Sequence, residues 1–288
     1  MNYKKWLAKN TQSLNGKTVA ISGSTGGIGK ELCALFCSLS ASLILIDRNK
    51  ARSDALREAL LAEFPNTSLK AYYLDLEDIS ATRDLARTLQ GEAIDYLVLN
   101  AGAYKIPRRK GENGLENAFN INFVSPYILA NALLPKIKAR GGKVIAVGSI
   151  AHNYSKIDVS DVDFATRKAP SKIYGNAKRY LMYSLWSLEE YRDCINIAHP
   201  GIAVTNITSH YPKVIYAIIK YPMKIIFMSP KKACLSILYA LFTDTEKNEW
   251  IGPRVFDVWG LPTKRILTTC SQEEAEKISE LAKEIYLK

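Results

Sequence analysis

The sequence predicts an α/β fold: a single doubly wound parallel sheet with helices on both faces. Three observations predict it. Short, continuous apolar runs alternate with helical patterns along most of the chain, and such runs mark strands buried on both sides. A glycine-rich turn joins the first run to the first helix. Nearly every later run stops at a polar or glycine residue, and in parallel sheets ligands bind beyond the carboxyl ends of the strands.

The elements follow in order. Residues 18–21 form the first strand, 22–29 the turn, and a helix runs from Gly29 to about Leu39. A second strand over 43–46 closes at Asp47 and Arg48, and a helix over 54–64 leads to a third strand over 69–74, closed by Asp75. A helix over 79–89 precedes a strand over 96–99 that ends at Asn100, Ala101 and Gly102. One long helix is expected over 115–136, then a strand over 144–147 ending at Gly148 and Ser149. The helix carrying Tyr174 follows, then a strand over 195–198 ending at His199, Pro200 and Gly201. Ser271 and Glu274 have capping-box spacing ahead of a C-terminal helix over 271–287.

The chain has 288 residues and no Pro/Gly/Ser-rich or charge-dense break, so it reads as one domain over 1–288. Its net charge of +11 raises nucleic acid as a partner. The basic residues are dispersed, however, and lack interleaved aromatics, which argues against that partner. Five cysteines without a CxxC pair, and three ungrouped histidines, predict a reduced cytoplasmic protein and no metal site. His152 and His199 read as structural. The N-terminus has no apolar core of a signal peptide. The apolar stretch 214–228 is broken by two lysines and a proline, so no transmembrane segment is expected.

The turn at Ser22–Gly29 contains Gly23, Ser24, Thr25, Gly27, Ile28 and Gly29. Glycines permit a tight turn, and the helix behind it offers unpaired N–H groups to a pyrophosphate. At the start of an alternating pattern this is a Rossmann-type dinucleotide site. Asp47 ends the second strand, where a carboxylate can accept from the adenosine ribose and repel a 2′-phosphate. Arg48 could pair with that phosphate instead. Asp47 favours NAD, and Arg48 keeps NADP open.

Tyr174 and Lys178 are four residues apart, hence on one helical face. A cation beside a phenol favours the phenolate and brings its pKa from about 10 toward the working range. Tyr216 and Lys220 share that spacing without supporting motifs, so spacing alone decides nothing.

The octet at 22–29, Asn100-Ala101-Gly102, Asn122, Ser149, Tyr174 with Lys178, and Pro200-Gly201 with Thr205 occur in order. Together they resemble the short-chain dehydrogenase/reductase family over nearly the whole chain. Gly114-Leu115-Glu116, Gly148-Ser149-Ile150-Ala151-His152, His199-Pro200-Gly201 and the long gap between Ser149 and Tyr174 are most similar to its retinol-dehydrogenase-like members. Ser22 stands where the family usually has threonine, and Leu99 replaces the first asparagine of its common Asn-Asn-Ala-Gly.

The resemblance implies an NAD(P)-dependent oxidoreductase interconverting an alcohol and a carbonyl. Tyr174 would be the general acid/base, Lys178 would bind the nicotinamide ribose, and Ser149 would hold the substrate oxygen. Asn122 would hold a water relaying protons from Lys178. Asp75 and Leu76 would bracket adenine, Asn100, Ala101 and Gly102 would line the cofactor cleft, and Pro200, Gly201 and Thr205 would contact the nicotinamide end. The family also implies a homodimer, a homotetramer or, in this branch, a monomer.

The family's substrate lid would fall at 207–228, here apolar with interspersed lysines. That suits a small, apolar substrate of retinoid, steroid or fatty-alcohol type, and it leaves room for peripheral membrane contact. The competing reading is a non-catalytic NAD(P)-sensing regulatory protein. A lost tyrosine, lysine or serine would favour it, and all three are present.

Overall fold

The computed structural model describes residues 3–202 and 228–287; the stretch between them, with Thr205, Tyr216, Lys220 and nearly all of 207–228, lies outside the described residues. Helix α1 (Tyr3–Asn10) precedes β1 (Thr18–Ser22), α2 (Gly27–Ser38), β2 (Ser42–Asp47), α3 (Lys50–Glu63), β3 (Leu69–Tyr73), α4 (Ile79–Leu89) and β4 (Tyr96–Leu99). Next come α5 (Asn117–Phe119), a π-helical stretch (Asn120–Val124), α6 (Ser125–Ala139), β5 (Lys143–Val147) and α7 (Pro170–Trp186). The remainder is β6 (Ile195–Ala198), α8 (Pro230–Leu241), β7 (Glu249–Val255), β8 (Trp259–Ile266) and α9 (Gln272–Leu287).

The strands form one sheet in the order β3-β2-β1-β4-β5-β6-β7-β8. Strand order reverses between β1 and β4, which opens the crevice where doubly wound sheets bind ligands. Alternate residues of each strand serve two separate cores. Ala20, Ile44, Leu97, Leu99, Val144 and Ala146 face the core completed by α4, α6 and α7. Val19, Ile21, Leu43, Leu45, Val98 and Ile145 face the core completed by α2, α3 and α8. Both faces are therefore apolar, which is why the strands read as continuous runs.

Local chemistry starts several helices. The Asn49 side chain accepts from Arg52 N, and that of Asp78 accepts from Ala81 N, each satisfying an orphan donor of a first turn. Ser271 Oγ accepts from Glu274 N at 3.2 Å, so half of the expected capping box forms. The Glu274 carboxylate turns away to Arg179 and Ile157 N.

One expectation is corrected, and the expected parallel sheet gains an antiparallel edge. The helix expected over 115–136 is broken by the π-helical stretch. The sheet also carries β8, antiparallel to β7. Pro253, Gly260 and Pro262 interrupt the hydrophobic pattern of this pair, as edge strands tolerate, and no residue of β8 is fully buried.

Candidate active site

The turn after β1 closes against β4. Gly23 has φ +69, and a Cβ there would lie 2.8 Å from Ala101 Cα. A Cβ on Gly29 would lie 2.2 Å from Gly23 O, so only glycine lets α2 start this close to the turn. Asn100 Nδ2 donates to Ser22 O and Gly23 O at 3.0 Å each, and Ala101 N donates to Ser22 Oγ at 3.1 Å. Asn100 and Ala101 thus brace the turn from the next strand. Helix α2 has Gly26 as N-cap and no side-chain cap, so its first N–H groups can serve a pyrophosphate. Gly27, Ile28 and Gly29 form that first turn.

Asp47 is only 3% exposed. Its carboxylate accepts from Ser24 Oγ at 2.5 Å, Ser53 Oγ at 2.9 Å and Thr25 N at 3.2 Å. It therefore holds the glycine turn from beneath, a job the sequence reading did not assign it. Arg48, whose side chain is 67% exposed, lies 3.8 Å from Asp75. Leu76 is buried, and its carbonyl accepts from Ser125 Oγ.

Helix α7 begins with Pro170 in its first turn, where a missing N–H costs nothing. It presents Tyr174 and Lys178 toward the end of β5. A Cβ on Gly175 would lie 2.1 Å from Ala151 O, so this glycine lets the helix press against the Ser149 turn. Ser149 caps the 3-10 turn Ile150–Tyr154, its Oγ accepting from Ala151 N at 3.2 Å. The hydroxyl proton is left to donate toward the Tyr174 phenol.

Burial pushes the Tyr174 phenol up to about 12, opposed by a hydrogen bond with the Ser149 side chain and reinforced by Tyr104. The Tyr104 ring stands edge-on to Tyr174 with centroids 5.6 Å apart. Lys178 is 2% exposed, and burial pulls its amine down to about 8. Its Nζ donates to Val147 O at 2.9 Å and lies 5.8 Å from the Tyr174 ring centroid. The expected lowering of the phenol by the ammonium is thus absent from this geometry, because Lys178 is directed to a carbonyl and desolvation dominates.

Asn122 lies in the π-helical stretch, fully buried. Its Oδ1 accepts from Ala103 N at 3.1 Å, while Nδ2 donates to Ala103 O at 2.8 Å and Ala118 O at 2.7 Å. π-Helical irregularities concentrate at functional sites. A Cβ on Gly102 would lie 2.9 Å from Asn122 Oδ1 and 3.7 Å from Lys178 Nζ, so both side chains flank this glycine. Pro200 and Gly201 follow β6, with Gly201 packed near Val258, Pro253 and Met228.

His152 and His199 sit around Trp250 in the adjoining core. His199 stacks on it with centroids 5.0 Å apart, and His152 meets it edge-on at 5.5 Å. Burial pulls both imidazoles down to about 4. Sequence reasoning missed Ser53, Tyr104 and Gly175. Ser53 carries a signal, standing one turn into the helix after Asp47, but Tyr104 and Gly175 are defined only by distant backbone. Among the described residues there is no grouping of three or more metal-ligating side chains. No helix among them is long and apolar enough to cross a membrane.

Comparison with known proteins adds an independent line. Residues 17–161 match the profile of the short chain dehydrogenase family. The chain is 31% identical over 208 residues to Homo sapiens retinol dehydrogenase 13, covering 69% of this chain and 62% of that protein. It is 26% identical over 238 residues to Mus musculus polyprenol dehydrogenase, covering 78% of this chain and 71% of that protein. It therefore spans less than two thirds of the first of these relatives. In fold it is similar to the crystal structure of an uncharacterized Mycobacterium paratuberculosis protein, with TM-score 0.76, 22% identity and 97% of each chain covered. An Agrobacterium tumefaciens 3-oxoacyl (acyl-carrier-protein) reductase with NADP bound aligns with TM-score 0.64 and 19% identity, covering 84% of this chain and 93% of that one.

Proposed function

This chain belongs to the short-chain dehydrogenase family, and we propose that it is an NAD(P)-dependent oxidoreductase interconverting an alcohol and a carbonyl. The observation that carries this reading is the meeting of Ser149, Tyr174 and Lys178 beside the β5 end, next to the glycine turn. A bound nicotinamide would supply or accept the hydride. The uncapped start of α2, brought close to the turn by Gly23 and Gly29, suits its pyrophosphate.

In carbonyl reduction Tyr174 gives its proton to the substrate oxygen, and in alcohol oxidation it takes one. A phenol held near pKa 12 is the protonated donor at neutral pH. The Ser149 hydroxyl, its lone pair engaged by Ala151 N, donates toward the same oxygen and stabilises developing charge. Lys178 would bind the nicotinamide ribose and is charged in most molecules at pH 7, given a pKa of about 8. Asn122 locks Ala103 and the helix break beside Lys178, which supports a place for it in proton relay.

The buried Asp47 carboxylate already accepts from Ser24, Thr25 and Ser53, whereas the Arg48 side chain is exposed. This placement favours NADP over NAD and modifies the weight that sequence alone puts on Asp47. A hydrophobic substrate is the reading consistent with relatives named for retinol and polyprenol. The test is to assay both cofactors against retinoid, steroid, fatty and sugar alcohols and their carbonyls, beside Tyr174→Phe. Loss of turnover in the variant is expected; full activity would sink the mechanism, and faster turnover of polar sugars would sink the apolar substrate.

A further inference from the structure

We propose that His152 is a positioning residue for Ser149, holding the serine turn through a directed chain of hydrogen bonds that starts at Tyr183 on α7 and passes through Thr269. The inference rests on the reading of Ser149 and Tyr174 as the substrate-contacting pair. His152 Nδ1 lies 2.7 Å from Ser149 O, His152 Nε2 lies 2.9 Å from Thr269 Oγ1, and Thr269 Oγ1 lies 2.8 Å from the Tyr183 hydroxyl. One carbonyl sets every direction. Ser149 O can only accept, so Nδ1 carries the proton and Nε2 of the neutral ring must accept. Thr269 then donates to Nε2, and the Tyr183 hydroxyl donates to Thr269.

The chain is clamped from behind. Arg179, the residue after Lys178, is 2% exposed and donates to His152 O at 3.1 Å. It also donates to both Glu274 oxygens, at 2.8 and 2.6 Å, and to Thr269 O. The other groups facing His152 are Trp250 from β7 and His199 from the end of β6. Burial keeps the imidazole neutral across the working range.

The consequence reaches the active site through one short turn. Ser149 O also accepts from His152 N at 3.1 Å, so a single residue grips that carbonyl twice. The same turn places Ser149 Oγ on Ala151 N and beside the phenol of Tyr174. A loosened carbonyl would let the hydroxyl drift from the phenol whose pKa it lowers.

Two variants separate positioning from mere packing. His152→Asn keeps an N–H near the Nδ1 position, while His152→Gln places its amide near Nε2. We expect Asn to stay within about threefold of wild-type kcat and Gln to lose about 10- to 100-fold, as misplacement of a catalytic group does. The KM for the nicotinamide cofactor should hold in both, and the kcat pH profile should move upward in Gln alone. Thr269→Val, nearly isosteric, removes the hydroxyl that holds Nε2 and links it to Tyr183, and should lose kcat with the same upward shift. Equal losses in Asn and Gln, or losses that track Tm with an unmoved pH profile, overturn the positioning role. Tyr174→Phe assayed alongside isolates the parent reading. Its inactivity with indistinguishable His152 variants removes only this inference, whereas its full activity removes both.

Discussion

Acid should unfold this protein through the histidines around Trp250. His199 is buried against that indole, 3.4 Å from Gly148 O through Nδ1, and its Nε2 has no partner among the described residues. Burial lowers its pKa from 6.5 to about 4. The unfolded chain therefore binds the proton first, so stability is full above about pH 6.5 and falls as pH drops toward 4. At about pH 5 the unfolded imidazole is almost wholly charged and the folded one neutral, a linkage cost of about 2 kcal/mol. His152, lowered to the same value, adds a similar amount. His199→Phe retains the stacked face and removes one titration. Urea unfolding of both proteins at about pH 7.5 and pH 5 should show wild type losing about 2 kcal/mol more than the variant between the two conditions. Equal losses would refute the argument, because His199 would then be charged in the fold or protonated no more readily when unfolded.

Two further outcomes are expected. Arg48→Ala should raise KM for NADP(H) by about 10- to 100-fold, the worth of one charge-assisted hydrogen bond, and leave NAD(H) nearly unchanged; steady-state kinetics with both cofactors decides this, and an equal effect on each would remove Arg48 from phosphate recognition. Glu274→Gln should destabilise by about 3–5 kcal/mol by leaving the buried Arg179 charge uncompensated, while Arg179→Met with Glu274→Leu should cost much less. A urea-denaturation double-mutant cycle measures the coupling, and additive losses would show that the two side chains do not act as a pair.

The family resemblance was legible because its residues stand in order along the chain, and the element pattern because the inner strands are apolar on both faces. The break in the helix before α6 was legible only as Pro126 in the first turn of α6, which removes a backbone donor to the preceding turn. Its π-helical form was not, because that stretch exists where the Asn122 amide pairs with the backbone of Ala103 in the loop after β4. Strands β7 and β8 escaped notice because prolines and glycines obscure an edge hairpin whose pairing is set by neighbours.

The amino-acid sequence by itself determined the α/β alternation, the glycine turn and the order of Asn122, Ser149, Tyr174 and Lys178. These follow from local periodicity, turn chemistry and linear spacing, which need no knowledge of what packs where. Tertiary structure alone decided that Asp47 faces the turn, leaving the Arg48 side chain exposed. It also decided that Tyr174 is raised and Lys178 lowered, and that Arg179 joins Glu274 across 95 positions of chain. The reason is desolvation and pairing: both depend on atoms brought close by the fold, and a one-dimensional spacing holds no information about which atoms those are.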